Sequence, residues 1–217
     1  LGTNAAPPAI DARKSSQITP IDEAGRKPKK KKRIRGLREE HLERMSDWLK
    51  RKNTFFSNLA RMTLQSGVYC GLRPREWAQS EVLFVQDEDL TDENARRVEE
   101  IPVLWVLNAK NSHERSHSDT RTLIFDDLTG KQDVVRLVRQ TCEQWRDYAT
   151  MYVGQLDPKT SESVAWEQAI EHIRHNAGYM VRRATQELRL PDYTLYSARH
   201  QFSANAKAAG LTQVEVA

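Results

Sequence analysis

Between Pro158 and Pro191, small and apolar residues recur at helical steps: Ala165, Ala169, Ile173, Ala177, Val181, Ala184 and Leu188. A stripe of that length predicts one long amphipathic helix with a buried face. Its other faces carry Arg174, Arg182, Arg183 and Arg189. A second stripe, Val134, Val135, Val138, Cys142, Trp145, Tyr148 and Tyr152, predicts a helix before it, broken at Asp157-Pro158. Leu42, Met45, Trp48 and Leu49 predict another helix, and Phe55, Phe56, Leu59, Met62 and Leu64 a further one. Their aromatic residues are read as core rather than as a platform for stacked bases.

Three β-like runs, 82–85, 101–107 and 120–125, interrupt the helical pattern. Residues 86–100 between the first two are acidic and loop-like, and the last two runs flank a polar loop, as in a hairpin. Thr194 is placed to cap a last helix whose first turns hold Tyr196, Arg199 and His200. The order is helices, a small antiparallel sheet, then helices, which predicts an α+β, mostly helical fold.

The chain of 217 residues carries a net charge of +4, with a pI near 9.1, and its cations cluster, which favours a polyanionic partner. Residues 1–26 have no apolar period and read as linker. The next block, Lys27-Pro28-Lys29-Lys30-Lys31-Lys32-Arg33-Ile34-Arg35, places seven cations in nine positions. Such a block repels itself. It reads as a solvated tail, as an import-like signal, or as an arm that tracks nucleic-acid phosphates, and the last is preferred because a folded unit with phosphate-handling residues abuts it. The expected division is a disordered basic arm over 1–36 and a folded domain over 37–217. Cys70 and Cys142 lie in apolar helical patterns without zinc spacing, which suits a reduced, cytoplasmic setting. No run reaches the length of a membrane span. The chain lacks an initiator Met and stops at Ala217 inside a helical pattern, so it is read as part of a longer protein.

Two short motifs carry the chemistry. The first is Gly71-Leu72-Arg73-Pro74-Arg75-Glu76, where Pro74 suits the first turn of a helix and Arg73 its cap, a position that favours anions. The second is Tyr196-Ser197-Ala198-Arg199-His200, with Tyr196 and Arg199 on one helix face. Lys110 lies between them at the loop end of the hairpin, with Arg115 and Arg121 as other cations of that neighbourhood. Two forked guanidiniums and an ammonium are suited to a phosphodiester. His200 is expected to be a hydrogen-bonded core histidine. His113 and His117, with Glu114 and Asp119, sit in a polar loop and are not read as a metal site, and His172 and His175 are read as helix-surface residues.

Taken in order, these motifs resemble the catalytic domain of the tyrosine recombinases, the phage-integrase family. The match is Gly71-Leu72-Arg73 with Glu76, then Lys110, then the Arg199-His200 box followed by Phe202, Ala204, Ala206, Ala209 and Gly210, over about residues 40–217. The resemblance implies a site-specific recombinase or integrase acting on double-stranded DNA. A tyrosine hydroxyl would attack the scissile phosphate and leave a 3′-phosphotyrosine and a free 5′-hydroxyl. Arg73 and Arg199 would hold the non-bridging oxygens, with Tyr196 as a third ligand. Lys110 would protonate the leaving oxygen, with Glu76 and His200 in support. Neither metal nor other cofactor is implied. Lys29, Lys30, Lys31, Lys32, Arg33 and Arg35, with Arg174, Arg182 and Arg183, would contact DNA. The full protein would assemble as a homotetramer on paired sites in a bacterial nucleoid, and this fragment would be a monomer.

Tyr196 stands where the family has a histidine, and a phenol with a pKa near 10 is a poor proton shuttle at neutral pH. The family's nucleophile would fall after Ala217, so these residues are expected to bind DNA without forming a covalent adduct. A non-catalytic DNA-binding regulator of the same fold and a type IB topoisomerase-like enzyme are the alternatives.

Overall fold

Alternating frames of helical and strand periodicity translate into five helices and three strands in the computed structural model, which describes residues 36–86, 100–108, 119–125 and 132–210. Helix α1, Glu39–Lys52, begins with Glu39 and Glu40 and ends with Lys50, Arg51 and Lys52, each sign at the helix end whose dipole it complements. Helix α2, Phe55–Cys70, starts with a reciprocal cap. Thr54 Oγ1 accepts from the Ser57 N–H, while Ser57 Oγ accepts from the Thr54 N–H at 2.9 Å. Strands β1 (Ser80–Gln86), β2 (Glu100–Leu107) and β3 (Thr120–Ile124) form one antiparallel sheet in that order. Helices α3 (Gln132–Val153), α4 (Glu162–Glu187) and α5 (Tyr196–Ala208) follow.

Sheet register decides which side chains face the helices. Val82 lies opposite Leu104, and Leu104 opposite Leu123. This set packs with Trp77, with Val138, Cys142 and Trp145 of α3, and with Ala169 and Ile173 of α4. A second core joins Met45, Trp48 and Leu49 of α1 to Ala60 and Leu64 of α2, Ala177, Val181 and Ala184 of α4, and Tyr193. The stripe read between the two prolines therefore serves both cores, its first half one and its second half the other. Among the described residues no helix is long and apolar enough to cross a membrane.

Three expectations are corrected. Phe55 is 43% exposed and Phe56 half-buried, not core. Both sit in the first turn of α2, where Tyr148 of α3 contacts their rings from the side. Phe55 instead stacks on Tyr148 at 4.8 Å, in a surface cluster with Phe56 and Tyr152. That cluster half-buries His172, whose ring lies flat against Tyr148 and Tyr152. Thr194 does not cap α5 with its hydroxyl. Ser197 Oγ accepts from the Thr194 N–H at 3.0 Å, and Leu195 takes the cap position. His200 is exposed, its ring edge-on to Tyr196 at 5.0 Å, because its place on α5 faces away from α2.

Candidate phosphate-binding site

Arg73 follows the end of α2, where Gly71 takes a left-handed conformation with φ 62°. Two demands meet at Gly71. Its φ favours glycine, and a Cβ there would run into the Phe202 ring of α5. One turn earlier, a Cβ on Gly67 would lie 2.8 Å from the Ala198 Cβ, so α2 and α5 cross at backbone range. This close crossing brings the two motifs together. Arg199 of α5 donates from Nη1 to the Gly71 carbonyl.

Arg73 does not cap an α-helix, as its sequence context predicts. Residues 73–76 form a turn closed by the Glu76 N–H on the Arg73 carbonyl at 2.8 Å, with Pro74 presetting the second position. One 3₁₀ turn, Trp77–Gln79, follows before β1 begins. Only three residues separate the 73–76 turn from the strand, too few for an α-helix. Glu76 folds back so that Oε2 accepts from the Arg73 N–H at 2.8 Å. An anion does sit at this chain reversal, and it is the protein's own carboxylate.

Glu76 is wholly buried and shared between two arginines. Arg73 Nη1 reaches Oε1 at 2.7 Å, and Arg121 Nη2 of β3 reaches Oε2 at 2.7 Å. Arg121 Nη1 also donates to Asn108 Oδ1. Burial disfavours the Glu76 charge, but the Arg121 and Arg73 bonds outweigh it and hold the carboxyl below its ordinary range. Burial likewise works against the Arg73 charge, and Glu76 and then Tyr196 override it, so its pKa is raised. Arg199 goes the other way: burial and then the adjacent Arg73 charge push its pKa down, Glu76 and Tyr196 oppose them, and Arg121 adds to the lowering. Arg73, Arg121, Arg199, Glu76 and Tyr196 are thus one electrostatic unit.

A cleft of about 960 Å³ opens beside this unit, lined by Arg73, Arg75, Arg174, His175, Arg182 and Tyr196 among others. Arg75 and Arg174 share Glu171, at 2.6 Å and 2.8 Å. The Arg174, Arg75 and Glu171 group is exposed enough for solvent to screen it. Arg183 is not among the lining residues; it pairs with Glu187 at 2.9 Å. A second cleft of about 710 Å³ mixes Arg75 and Arg146 with Glu162 and Glu167, so it has no cationic bias.

No family model, curated protein or solved structure matches this chain.

Of the residues singled out from sequence, Arg73, Glu76, Tyr196 and Arg199 come together, and His200 borders them through Tyr196. Lys110, the basic run with Lys29, Lys30, Lys31, Lys32, Arg33 and Arg35, and the loop group His113, Glu114 and His117 lie outside the described residues. Asn108 and Asp119, which flank the Lys110 segment, are joined by the Asn108 N–H on the Asp119 carbonyl at 2.8 Å. Tyr193 is fully buried, its hydroxyl 2.7 Å from His41 Nδ1. Cys70 and Cys142 are buried free thiols. Burial pushes the Cys70 thiol up to about 12 and the Cys142 thiol up as well, which removes their thiolate reactivity.

Sequence reasoning named Arg121 only as a neighbour of Lys110 and missed its part in the cluster. The signal was strand parity. Arg121 shares a face with Leu123, which packs on the core. An arginine on that face needs a buried carboxylate, and Glu76 supplies it.

Proposed function

We propose that this chain is the phosphate-binding part of a tyrosine-recombinase-like DNA strand-exchange enzyme. The observation that carries the reading is the convergence of Arg73 and Arg199, from motifs far apart in the chain, around the Gly71 carbonyl and beside a cationic cleft. Among the described residues of the cluster there are three guanidiniums and one carboxylate. A buried charge left without a partner is costly. An excess of positive charge in a partly buried place therefore suits an incoming oxyanion, and the in-line transition state at phosphorus gathers further negative charge on the same oxygens.

In this scheme Arg73 and Arg199 hold the non-bridging oxygens, with Tyr196 donating a third hydrogen bond from its phenol. A tyrosine oxygen forms the new bond to phosphorus as the bond to the 5′-oxygen breaks. Lys110 delivers a proton to that leaving oxygen, and reversal of the same steps rejoins a strand. Tyr193 is not the nucleophile, since its hydroxyl is buried against His41. Tyr196 acts as a phosphate ligand beside Arg73. The cleft over Arg174, His175 and Arg182 receives the flanking backbone of the duplex.

Duplex binding followed against salt tests the reading. Arg73→Ala and Arg199→Ala should each weaken binding to all sequences alike and lower the log–log salt slope by about one. Slopes and affinities equal to the parent's would reject it.

A further inference from the structure

Of the arginines clustered at the site, Arg121 neither lines the cleft nor meets the Gly71 carbonyl, yet it donates to both oxygens of the buried Glu76 carboxylate. Its two terminal nitrogens span both oxygens of Glu76, and one also reaches Asn108 at the end of β2. Its side chain is 19% exposed and that of Arg73 25%, against none for Glu76. Arg73, in contrast, meets the carboxylate through one terminal nitrogen.

We propose that Arg121 is the positioning residue of the anion site: by gripping both oxygens of Glu76 it prevents the carboxylate from capturing the whole Arg73 fork, and so aims Arg73, beside Arg199, at an incoming oxyanion. This rests on the phosphate-binding reading above. A buried carboxylate satisfied by one arginine alone would draw in both of its terminal nitrogens, the bidentate geometry that guanidinium and carboxylate prefer. Shared with Arg121, it takes one bond from the Arg73 guanidinium beside that from the Arg73 backbone N–H. Arg121 also ties the turn at 73–76 to the strand pair that flanks the Lys110 segment, through Asn108.

The charge arithmetic gives a signature that packing alone cannot mimic. Among the described residues, the cluster with Arg121 present keeps two positive charges in excess while Glu76 is ionised. Without it the excess falls to one, and the second returns only when acid protonates Glu76, which also releases Arg73. Among the described residues, the charged and titratable groups near Glu76 include Arg73 on its own turn, Arg121 on β3, Arg199 on α5 and the buried Cys70 thiol at the end of α2, with Tyr196 beside Arg73 and Arg199. His200 lies behind Tyr196. His200 and Tyr196 are common to parent and variant, so their contributions cancel when the two profiles are subtracted.

The test measures inorganic sulfate binding by calorimetry to the full chain, from pH 8 to pH 5, for the parent, Arg121→Met, Arg121→Lys and Arg73→Ala, with melting curves for each. The parent should bind sulfate, and Arg73→Ala should bind far more weakly. Arg121→Met should bind about tenfold more weakly at pH 8 and recover towards pH 5. Arg121→Lys, which keeps the charge but cannot span both oxygens, should bind a few-fold more weakly at all pH values. If Arg121→Met does not fold, a pH-independent loss in Arg121→Lys supports the proposal and parent-like binding in it overturns the proposal. Parent-like binding and profile in both Arg121 variants, with Arg73→Ala weakened, would overturn this inference alone. Sulfate binding insensitive to Arg73 would overturn the phosphate-binding reading beneath it.

Discussion

The Arg199 guanidinium rests on the carbonyl of Gly71, two residues before Arg73, so motifs 128 positions apart meet at one backbone oxygen. Gly71 is therefore a helix terminus, a contact surface for Phe202 and the acceptor that fixes Arg199. Each of these roles constrains the other two, because the carbonyl points at Arg199 only while the backbone keeps its left-handed turn.

Replacing Gly71 with Ala should destabilise the fold on two counts. The left-handed conformation costs about 1–2 kcal/mol for a residue with a Cβ. The clash with Phe202 adds about 1–3 kcal/mol. Urea unfolding measures the sum. A Gly71→Ala, Phe202→Ala double variant should lose less than the two single variants together, since the clash is then relieved; strict additivity would mean that Phe202 does not press on Gly71.

Glu76→Gln should cost about 3–5 kcal/mol, the usual penalty for removing one partner of a buried charged group. Its pH signature follows from the direction of the Glu76 shift. The native pKa lies below the ordinary value of 4.5. The carboxylate therefore stabilises the fold fully above that ordinary value, and the contribution is lost as pH falls through the depressed native one. Unfolding free energies from pH 7 to pH 3 should thus fall more steeply in the parent than in Glu76→Gln. Parallel curves would place Glu76 outside the acid response.

Tyr193→Phe removes a hydroxyl bonded to His41 and should cost about 0.5–1.5 kcal/mol, with duplex affinity unchanged. A loss of duplex affinity beyond that stability cost would return the Tyr193 hydroxyl to the proposed site.

Long-period signals carried most of the fold. The alanine-lined stripe of α4 reads directly in sequence because Ala165, Ala169, Ile173, Ala177, Val181 and Ala184, all buried, follow one helical period. The three strands read because β-branched and aromatic runs are bounded by polar segments. What failed was local and depended on contacts from far along the chain. Pro74 looks like a helix start, but β1 begins six residues later and Glu76 turns back to Arg73. Phe55 looks like core, yet its cover comes from Tyr148 on α3. At the site, Arg73 and Arg199 could be picked from their motifs, while the pairing of Glu76 with Arg121 spans 45 positions and appears only once the strand faces are set.

Arg73 and Arg199 are proposed to serve one bound phosphate. A double-mutant cycle on duplex affinity, with Arg73→Ala, Arg199→Ala and the pair, tests it most directly. Groups that share one ligand should show a coupling of about 0.5–3 kcal/mol, the double variant losing less than the two single variants combined. Additivity to within about 0.3–0.5 kcal/mol, as for independent sites, would contradict it.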